Sequence, residues 1–148
     1  MNTKKPILLV EDNPSDADLT RRALSRGHVS NELVVVEDGQ EALDYLRGEG
    51  AYFGRTVTET PSLILLDLKL PKVSGLEVLR AVRADARLRR VPVVILTSSK
   101  EEEDVGAGYD LGVNSYVRKP VDFKEFQTAI ANLGLYWLIL NEPNPPVK

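Results

Sequence analysis

The chain contains no cysteine, and it has only one histidine, one tryptophan and one methionine among its 148 residues. The lack of cysteine excludes disulfides, thiolate metal sites and cysteine nucleophiles. The formal net charge is −3, so the charge balance does not indicate the basic face that is typical of nucleic-acid-binding proteins. We therefore do not expect nucleic acid among its partners.

Long hydrophobic runs are missing as well. The basic start, Met1–Lys5, is followed by only one short apolar run, Ile7–Val10, which is too short for the apolar section of a signal peptide. No stretch approaches the about 20 apolar residues that are needed to cross a bilayer. These absences predict a soluble, cytoplasmic protein without a membrane partner, and its length predicts a single domain over residues 1–148.

Four short apolar runs each lead into polar side chains that are suited to phosphoryl chemistry. They are Ile7–Val10 before Glu11 and Asp12, Leu63–Leu66 before Asp67, Val93–Leu96 before Thr97, and Val113–Val117 before Arg118 and Lys119. If the runs are parallel strands, their carboxyl ends share one edge of a sheet, and open α/β sheets bind ligands at that edge. The polar side chains are then expected to meet in one cleft.

The apolar runs alternate with stretches of helical periodicity, which is typical of repeated βα units around a parallel sheet. Strands are predicted near residues 6–10, 32–36, 62–67, 92–97 and 115–118, and helices near 15–26, 39–48, 75–85, 101–111 and 122–141. Ser15 is predicted to cap the first helix and Asp122 the last. Right-handed crossovers then favour an α/β, flavodoxin-like, doubly wound sheet with strand order 2-1-3-4-5 and an extended C-terminal helix.

Two segments depart from regular βα units. Residues 48–61 contain three glycines and a proline without a clear period, which predicts a long exposed loop. The fourth predicted helix contains Gly106 and Gly108, and each costs about 1 kcal/mol relative to alanine. That helix is therefore expected to have marginal stability. This suits an element that must shift, and it equally suits a helix that is simply frayed at the surface.

Asp67 is the predicted nucleophile, because a carboxylate at the end of an apolar strand is accessible and yet rigidly held. Glu11 and Asp12 would add two negative charges beside it, and two charges about 4 Å apart repel by about 4 kcal/mol at an effective dielectric of about 20. Such a cluster needs a cation, and its hard oxygen ligands favour Mg²⁺ or Mn²⁺. Lys119 would supply a fixed positive charge, and the Thr97 hydroxyl could bond a phosphoryl oxygen.

Each of these residues has an ordinary explanation when it is taken alone. An acidic pair after a strand is usually a capping turn, a threonine at a strand end usually reflects β-propensity, and a lysine before a proline is usually a surface residue. Their joint occurrence, in order and each at a strand end, favours the functional interpretation.

This set of residues resembles the receiver domain of two-component response regulators over nearly the whole chain. The resemblance is carried by Glu11-Asp12, Asp67 with Pro71 and Gly75, Thr97-Ser98, and Tyr116 with Lys119-Pro120. It implies that Asp67 accepts a phosphoryl group from a histidine kinase, and that a protein-protein interaction surface then changes. The domain would act as a switch, with phosphorylation and autodephosphorylation as its only chemistry.

The resemblance also implies a role for each site residue. Glu11, Asp12, Asp67 and the backbone carbonyl of Lys69 would bind Mg²⁺, Thr97 and Lys119 would hold phosphoryl oxygens, and Tyr116 would be the aromatic switch. It further implies a cis bond before Pro120. The side chains of Lys69 and Ser98 flank the site and are hypothesised to tune the phosphoryl lifetime.

The C-terminal segment predicts an interface. Phe123, Phe126, Ile130, Leu133, Trp137 and Leu140 follow a helical spacing of three and four, whereas Leu135, Leu138 and Ile139 point elsewhere. Exposed apolar surface of that extent usually marks an interface, so a homodimer through the last helix is expected unless the loop or the proline-containing tail covers it. The long helix, Tyr136-Trp137 and the long loop resemble regulators paired with bacterial phytochrome kinases.

Two other functions compete with the switch. A phosphotransferase that uses an aspartyl-phosphate commonly has a second aspartate two residues after the nucleophile, but Lys69 stands there. His28, the only histidine, is predicted to lie on the opposite side of the sheet, away from the site. A phosphorelay shuttle would use the same site as the switch, so only transfer to candidate histidine domains would separate the two.

Overall fold

The computed structural model describes residues 5–27, 29–55, 60–68, 70–97, 112 and 115–132. Its strands are β1 (Ile7–Val10), β2 (Leu33–Val36), β3 (Leu63–Asp67), β4 (Val93–Thr97) and β5 (Ser115–Arg118). Its α-helices are α1 (Pro14–Arg26), α2 (Gly39–Arg47), α3 (Gly75–Ala84) and α4 (Phe123–Asn132). Predicted and observed ends differ by at most one residue, but the predicted helix 101–111 and the last helix beyond Asn132 lie outside the described residues. Within those residues, no helix is long and apolar enough to cross a membrane.

All five strands are parallel, and their order is β2-β1-β3-β4-β5. The predicted flavodoxin-like sheet with order 2-1-3-4-5 is therefore confirmed. In the register of the sheet, Val10 lies opposite Leu66, and Asp67 lies opposite Leu96. The carboxyl ends of β1, β3 and β4 consequently meet at one edge, with β1 beside β3 at the centre.

Successive strand residues point to opposite faces of the sheet, and helices cover both faces. One face packs against α2 and α3 through Leu8, Val10, Ile64, Leu66, Val93, Ile95, Ala42, Leu46, Val78 and Leu79. The other packs against α1 and α4 through Ile7, Leu9, Leu63, Leu65, Val94, Leu96, Ala17, Leu24, Phe126 and Ile130. This two-sided burial explains why the strands are continuous apolar runs in the sequence.

The caps of the first and last helices had different outcomes. Asp122 Oδ1 accepts a hydrogen bond from the Glu125 amide at 2.8 Å, so the predicted cap of α4 is confirmed. The prediction of Ser15 as the cap of α1 is wrong. Asn13 takes that role, because its Oδ1 accepts from the amides of Ser15 at 2.9 Å and Asp16 at 3.1 Å. Pro14 then occupies the first helical position, where its missing N–H and fixed φ fit the helix start.

The exposed segment after α2 contains more structure than the sequence indicated, since Gly50–Tyr52 forms a 3-10 turn. The Tyr52 hydroxyl donates to Glu41 Oε2 at 2.7 Å, and burial together with this bond raises the pKa of Tyr52 to about 12. The Arg55 guanidinium lies 4.1 Å from the centre of the Tyr45 ring, and its Nε donates to the Tyr45 carbonyl. Tyr45 and Tyr52 meet edge to face at 5.2 Å, so two aromatic contacts fix the start of the segment to α2.

Candidate phosphoryl and metal site

Asp67 is the last residue of β3, and only 4% of its surface is exposed, so its carboxylate is less accessible than the sequence analysis expected. The chain after it is held close to the start of α3, because the Gly75 amide donates to the Leu68 carbonyl at 3.0 Å. A Cβ at Gly75 would lie 2.2 Å from the Asp67 carbonyl oxygen and 2.7 Å from the Leu68 Cα. Both are backbone atoms, so only glycine allows α3 to begin this close to Asp67.

Glu11 and Asp12 follow β1 directly, and both lie beside Asp67. One carboxylate oxygen from each of the three residues falls within 4.8 Å of the others, which is an arrangement that could hold a metal ion. Glu11 is buried, whereas Asp12 is exposed. The cluster therefore has a rigid inner part and an open outer side through which a cation could enter.

The donor set of this cluster fits a hard divalent cation, because all three groups are carboxylates. A further observation supports the fit. Glu11 Oε1 is a buried oxygen that accepts no hydrogen bond among the described residues, so it keeps acceptor capacity that a cation could use. The acidic cluster predicted from the sequence therefore forms in the structure and has an oxygen available for a cation.

Lys119, which follows β5, extends its ammonium into the same cluster. Its Nζ donates to Asp67 Oδ2 at 3.0 Å and to Glu11 Oε2 at 3.3 Å. Glu11 Oε1 lies at 3.0 Å from Nζ, but outside hydrogen-bonding geometry. The bond from Lys119 to Pro120 is cis, as the resemblance implied. Asp67 and Glu11, which lie 52 and 108 positions before Lys119 in the sequence, thus meet at its ammonium.

The electrostatics of the site follow from burial and from these contacts. Burial raises the pKa of Glu11 to about 7; the hydrogen bond from Lys119 opposes this rise, and the charge of Asp67 adds to it. For Lys119, burial alone would lower the pKa, but the hydrogen bonds to Glu11 and Asp67 outweigh it and hold the pKa above its usual range. The lysine therefore stays charged, whereas Glu11 is protonated readily when no metal is bound.

The other predicted site residues are described to different extents. Thr97 ends β4 and lies opposite Arg118 in the register, so its backbone is at the expected edge, while its side chain lies outside the description. Tyr116 is half-buried on β5 and packs against the core on the α2 and α3 face. Lys69 and Ser98 lie outside the described residues, so the predicted Lys69 carbonyl ligand and the two flanking side chains remain predictions.

The sequence analysis missed one residue of the site. Asp16, in the first turn of α1, places Oδ2 at 3.1 Å from the Lys119 Nζ. Its position one helical turn after Asp12 was the available signal, because α1 begins at the same edge of the sheet as the acidic pair. That signal was weak, since an acidic residue in a first turn is ordinarily explained by the helix dipole.

Comparison with known proteins identifies the family. The sequence model described as "Response regulator receiver domain" matches residues 7–131. The response regulator Rcp1 of Synechocystis sp. (strain ATCC 27184 / PCC 6803 / Kazusa) is 39% identical over 137 residues, which cover 93% of this chain and 91% of Rcp1. The match to the sequence model extends through every strand of the sheet and through the acidic cluster.

Solved structures agree with that match. The bacteriophytochrome response regulator RtBRR is 59% identical, with a TM-score of 0.86 over 97% of this chain and 86% of that chain. A Mn²⁺-bound form of Rcp1 superposes with a TM-score of 0.74 at 38% identity, over 97% of this chain and 99% of that chain. The phosphorylated cyanobacterial phytochrome response regulator RcpA superposes with a TM-score of 0.75 at 42% identity, over 95% of this chain and 100% of that chain. The chain therefore belongs to the response regulator receiver domains of two-component systems, and several of its relatives are regulators linked to phytochromes.

Proposed function

We propose that Asp67 is the residue of this receiver domain that accepts the phosphoryl group, and that the donor is the phosphohistidine of a sensor kinase. The observation that carries the proposal is the contact of Lys119 Nζ with Asp67 Oδ2 at 3.0 Å, beside a three-carboxylate cluster. A buried nucleophile, a fixed positive charge and a cation site are the parts that phosphoryl transfer needs.

In the proposed reaction an Asp67 oxygen forms a bond to phosphorus while the bond from phosphorus to the imidazole nitrogen of the kinase breaks. The imidazole keeps the electron pair and takes up a proton. Lys119 then pairs with an oxygen of the transferred phosphoryl group. This group carries more negative charge than the Asp67 carboxylate that Lys119 contacts before the reaction. Glu11, Asp12, Asp67 and the Lys69 carbonyl would hold Mg²⁺ or Mn²⁺, which when bound offsets the charge of the phosphoryl oxygens.

The signal would leave the site through Thr97 and Tyr116. Thr97 lies one strand away from Asp67, and Tyr116 lies in β5, which pairs with β4. A phosphoryl group on Asp67 would draw the Thr97 hydroxyl toward it, and the Tyr116 ring would turn into the space that is left. The group shifts the equilibrium between two conformations only to the extent that it binds the active one better.

The partner of this switch is proposed to be a phytochrome-type sensor histidine kinase, because RtBRR and RcpA are phytochrome response regulators by name. A homodimer through the last helix is proposed as well. Its support is the apolar sequence of residues 133–140, which follows α4 along the chain; if it is helical, it has more apolar residues than one helix face can bury. Light scattering of the full chain at increasing concentration tests the dimer, and a monomer at tens of micromolar would contradict it.

The site proposal is tested by incubating the protein with a small phosphodonor and Mg²⁺, and by measuring the intact mass. The wild type and Asp18→Asn should gain the mass of one phosphoryl group, because Asp18 is exposed and pairs with Arg22 on the surface of α1. The Asp67→Asn variant should gain none under the same conditions. Equal gain in Asp67→Asn and in the wild type would refute the proposal.

A further inference from the structure

The ammonium of Lys119 has a third carboxylate partner besides Glu11 and Asp67. Asp16 Oδ2 lies 3.1 Å from Nζ. The side chain of Asp16 is 32% exposed, whereas those of Glu11 and Asp67 are 0% and 6% exposed. Lysine has three N–H donors, and these three carboxylates surround it within hydrogen-bonding distance.

Asp16 differs from the other two partners in its relation to the metal cluster. Glu11 and Asp67 belong to the group of carboxylates whose oxygens could hold a cation, and Asp16 does not. When a divalent cation is bound, Glu11 and Asp67 must serve the cation as well as the ammonium, and the two positive charges repel each other. Asp16 is then the partner of Lys119 that the cation does not share.

Asp16 is also placed rigidly enough to hold the ammonium. Its backbone amide donates to Asn13 Oδ1 at 3.1 Å, within the capped first turn of α1. α1 packs against the sheet through buried residues such as Ala17 and Leu24. The long lysine side chain has considerable rotamer freedom to lose, so a partner on a fixed helix narrows the positions that its Nζ can occupy.

We propose that Asp16 is a positioning residue, which keeps the Lys119 ammonium directed at the phosphoryl group on Asp67 while the carboxylate cluster holds its cation. Asp16 itself touches neither the phosphorus nor the cation in this account. The proposal rests on the proposed function of Asp67 for its consequence, but the contact on which it depends can be measured in unphosphorylated protein.

The test compares Asp16→Asn with the matched control Asp18→Asn, which removes the same charge from the same helix. Proton exchange with water is measured at the Nζ of isotope-labelled Lys119 by NMR, with and without Mg²⁺, and the signal is assigned by its loss in Lys119→Met. Asp16→Asn should speed this exchange by about two- to fivefold, the range expected for a partly exposed ion pair. Asp18→Asn should leave the exchange rate unchanged.

The second readout is the rate constant of phosphorylation by a small phosphodonor at saturating Mg²⁺, so that changes in metal affinity do not enter. It should fall by about two- to fivefold in Asp16→Asn and stay unchanged in Asp18→Asn. Unchanged Lys119 exchange in Asp16→Asn, or faster exchange with an unchanged rate constant, would overturn the proposal. Failure of the Asp67 assignment would instead appear as phosphorylation of Asp67→Asn, while the exchange measurement would still report on Asp16.

Discussion

Replacing Lys119 with methionine should expose the electrostatic balance of the site. The substitution keeps most of the side-chain volume but removes the ammonium that contacts Glu11, Asp16 and Asp67 at 3.0–3.1 Å. At an effective dielectric of about 20, each contact of this length corresponds to about 5.5 kcal/mol of Coulomb attraction. Desolvation offsets most of that attraction, so these values set an upper bound rather than the net effect.

The expected loss of stability follows from the burial of the carboxylates that remain. Removing one partner of a buried ion pair costs about 3–5 kcal/mol, because it leaves an uncompensated charge. The side chain of Asp16 is one-third exposed, so its unpaired charge adds little to the loss of stability. Glu11 can reduce the loss by taking up a proton, which removes its unpaired charge. We therefore expect Lys119→Met to lower the free energy of unfolding by about 3 kcal/mol near pH 8 without metal.

The pH dependence gives the prediction a definite sign. Lys119 lowers the pKa of Glu11, whose value is nevertheless about 7, so the variant should have an even higher Glu11 pKa. A carboxyl whose pKa is higher in the folded state than in the unfolded state makes stability fall as the pH rises between the two values. The deficit of Lys119→Met should therefore narrow as the pH is lowered from about 8 to about 6, and change little at lower pH, where Glu11 is protonated in both folded proteins.

Urea unfolding with a chelator and with excess Mg²⁺ measures both effects. A cation bound by the cluster supplies positive charge near Glu11 and Asp67, so Mg²⁺ should stabilise Lys119→Met more than it stabilises the wild type. The reasoning would be refuted if the variant were as stable as the wild type near pH 8 without metal, or if Mg²⁺ stabilised both proteins equally.

Three further predictions concern the same edge of the sheet. The apparent Mg²⁺ dissociation constant, measured by calorimetry, should rise about tenfold from about pH 8 to about pH 6, because Glu11 must lose a proton to bind the cation; a constant value would contradict its raised pKa. Gly75→Ala should destabilise the protein by about 1–3 kcal/mol in urea unfolding and slow phosphorylation, since its Cβ would overlap the Asp67 carbonyl; full stability and rate would contradict this. Asn13→Ala should cost about 1 kcal/mol and Ser15→Ala much less, and the reverse order would contradict the observed cap.

Much of the fold could be predicted because burial on both faces of the sheet leaves a plain mark in the sequence. Runs such as Leu63–Leu66 must be strands that are covered on two sides, and the polar residue after each run must then lie at the shared edge. Strand order and direction place Asp67 and Lys119 at the same edge of the sheet. Because β4 lies between β3 and β5, their contact also depends on the reach of the lysine side chain.

Other features depend on information that a sequence pattern does not contain. Asn13 and Ser15 are comparable as caps, and the choice between them is made by Pro14, whose ring favours the first helical position. The contact between Asp16 and Lys119 joins residues 103 positions apart, and it depends on how α1 lies against the sheet. The turn at Gly50–Tyr52 is held by contacts of Tyr52 with Tyr45 and Glu41. These residues follow no periodic pattern that would predict the turn from the sequence.

The most direct test of the central claim locates the phosphoryl group on the chain. The protein is phosphorylated with a small donor and Mg²⁺, the acyl phosphate is reduced with borohydride, and peptides are sequenced by mass spectrometry. An acyl phosphate on an aspartate is converted by this treatment to homoserine. The account predicts homoserine at position 67 and unchanged residues at Asp12 and Asp16; conversion at another acidic residue, with Asp67 intact, would contradict it.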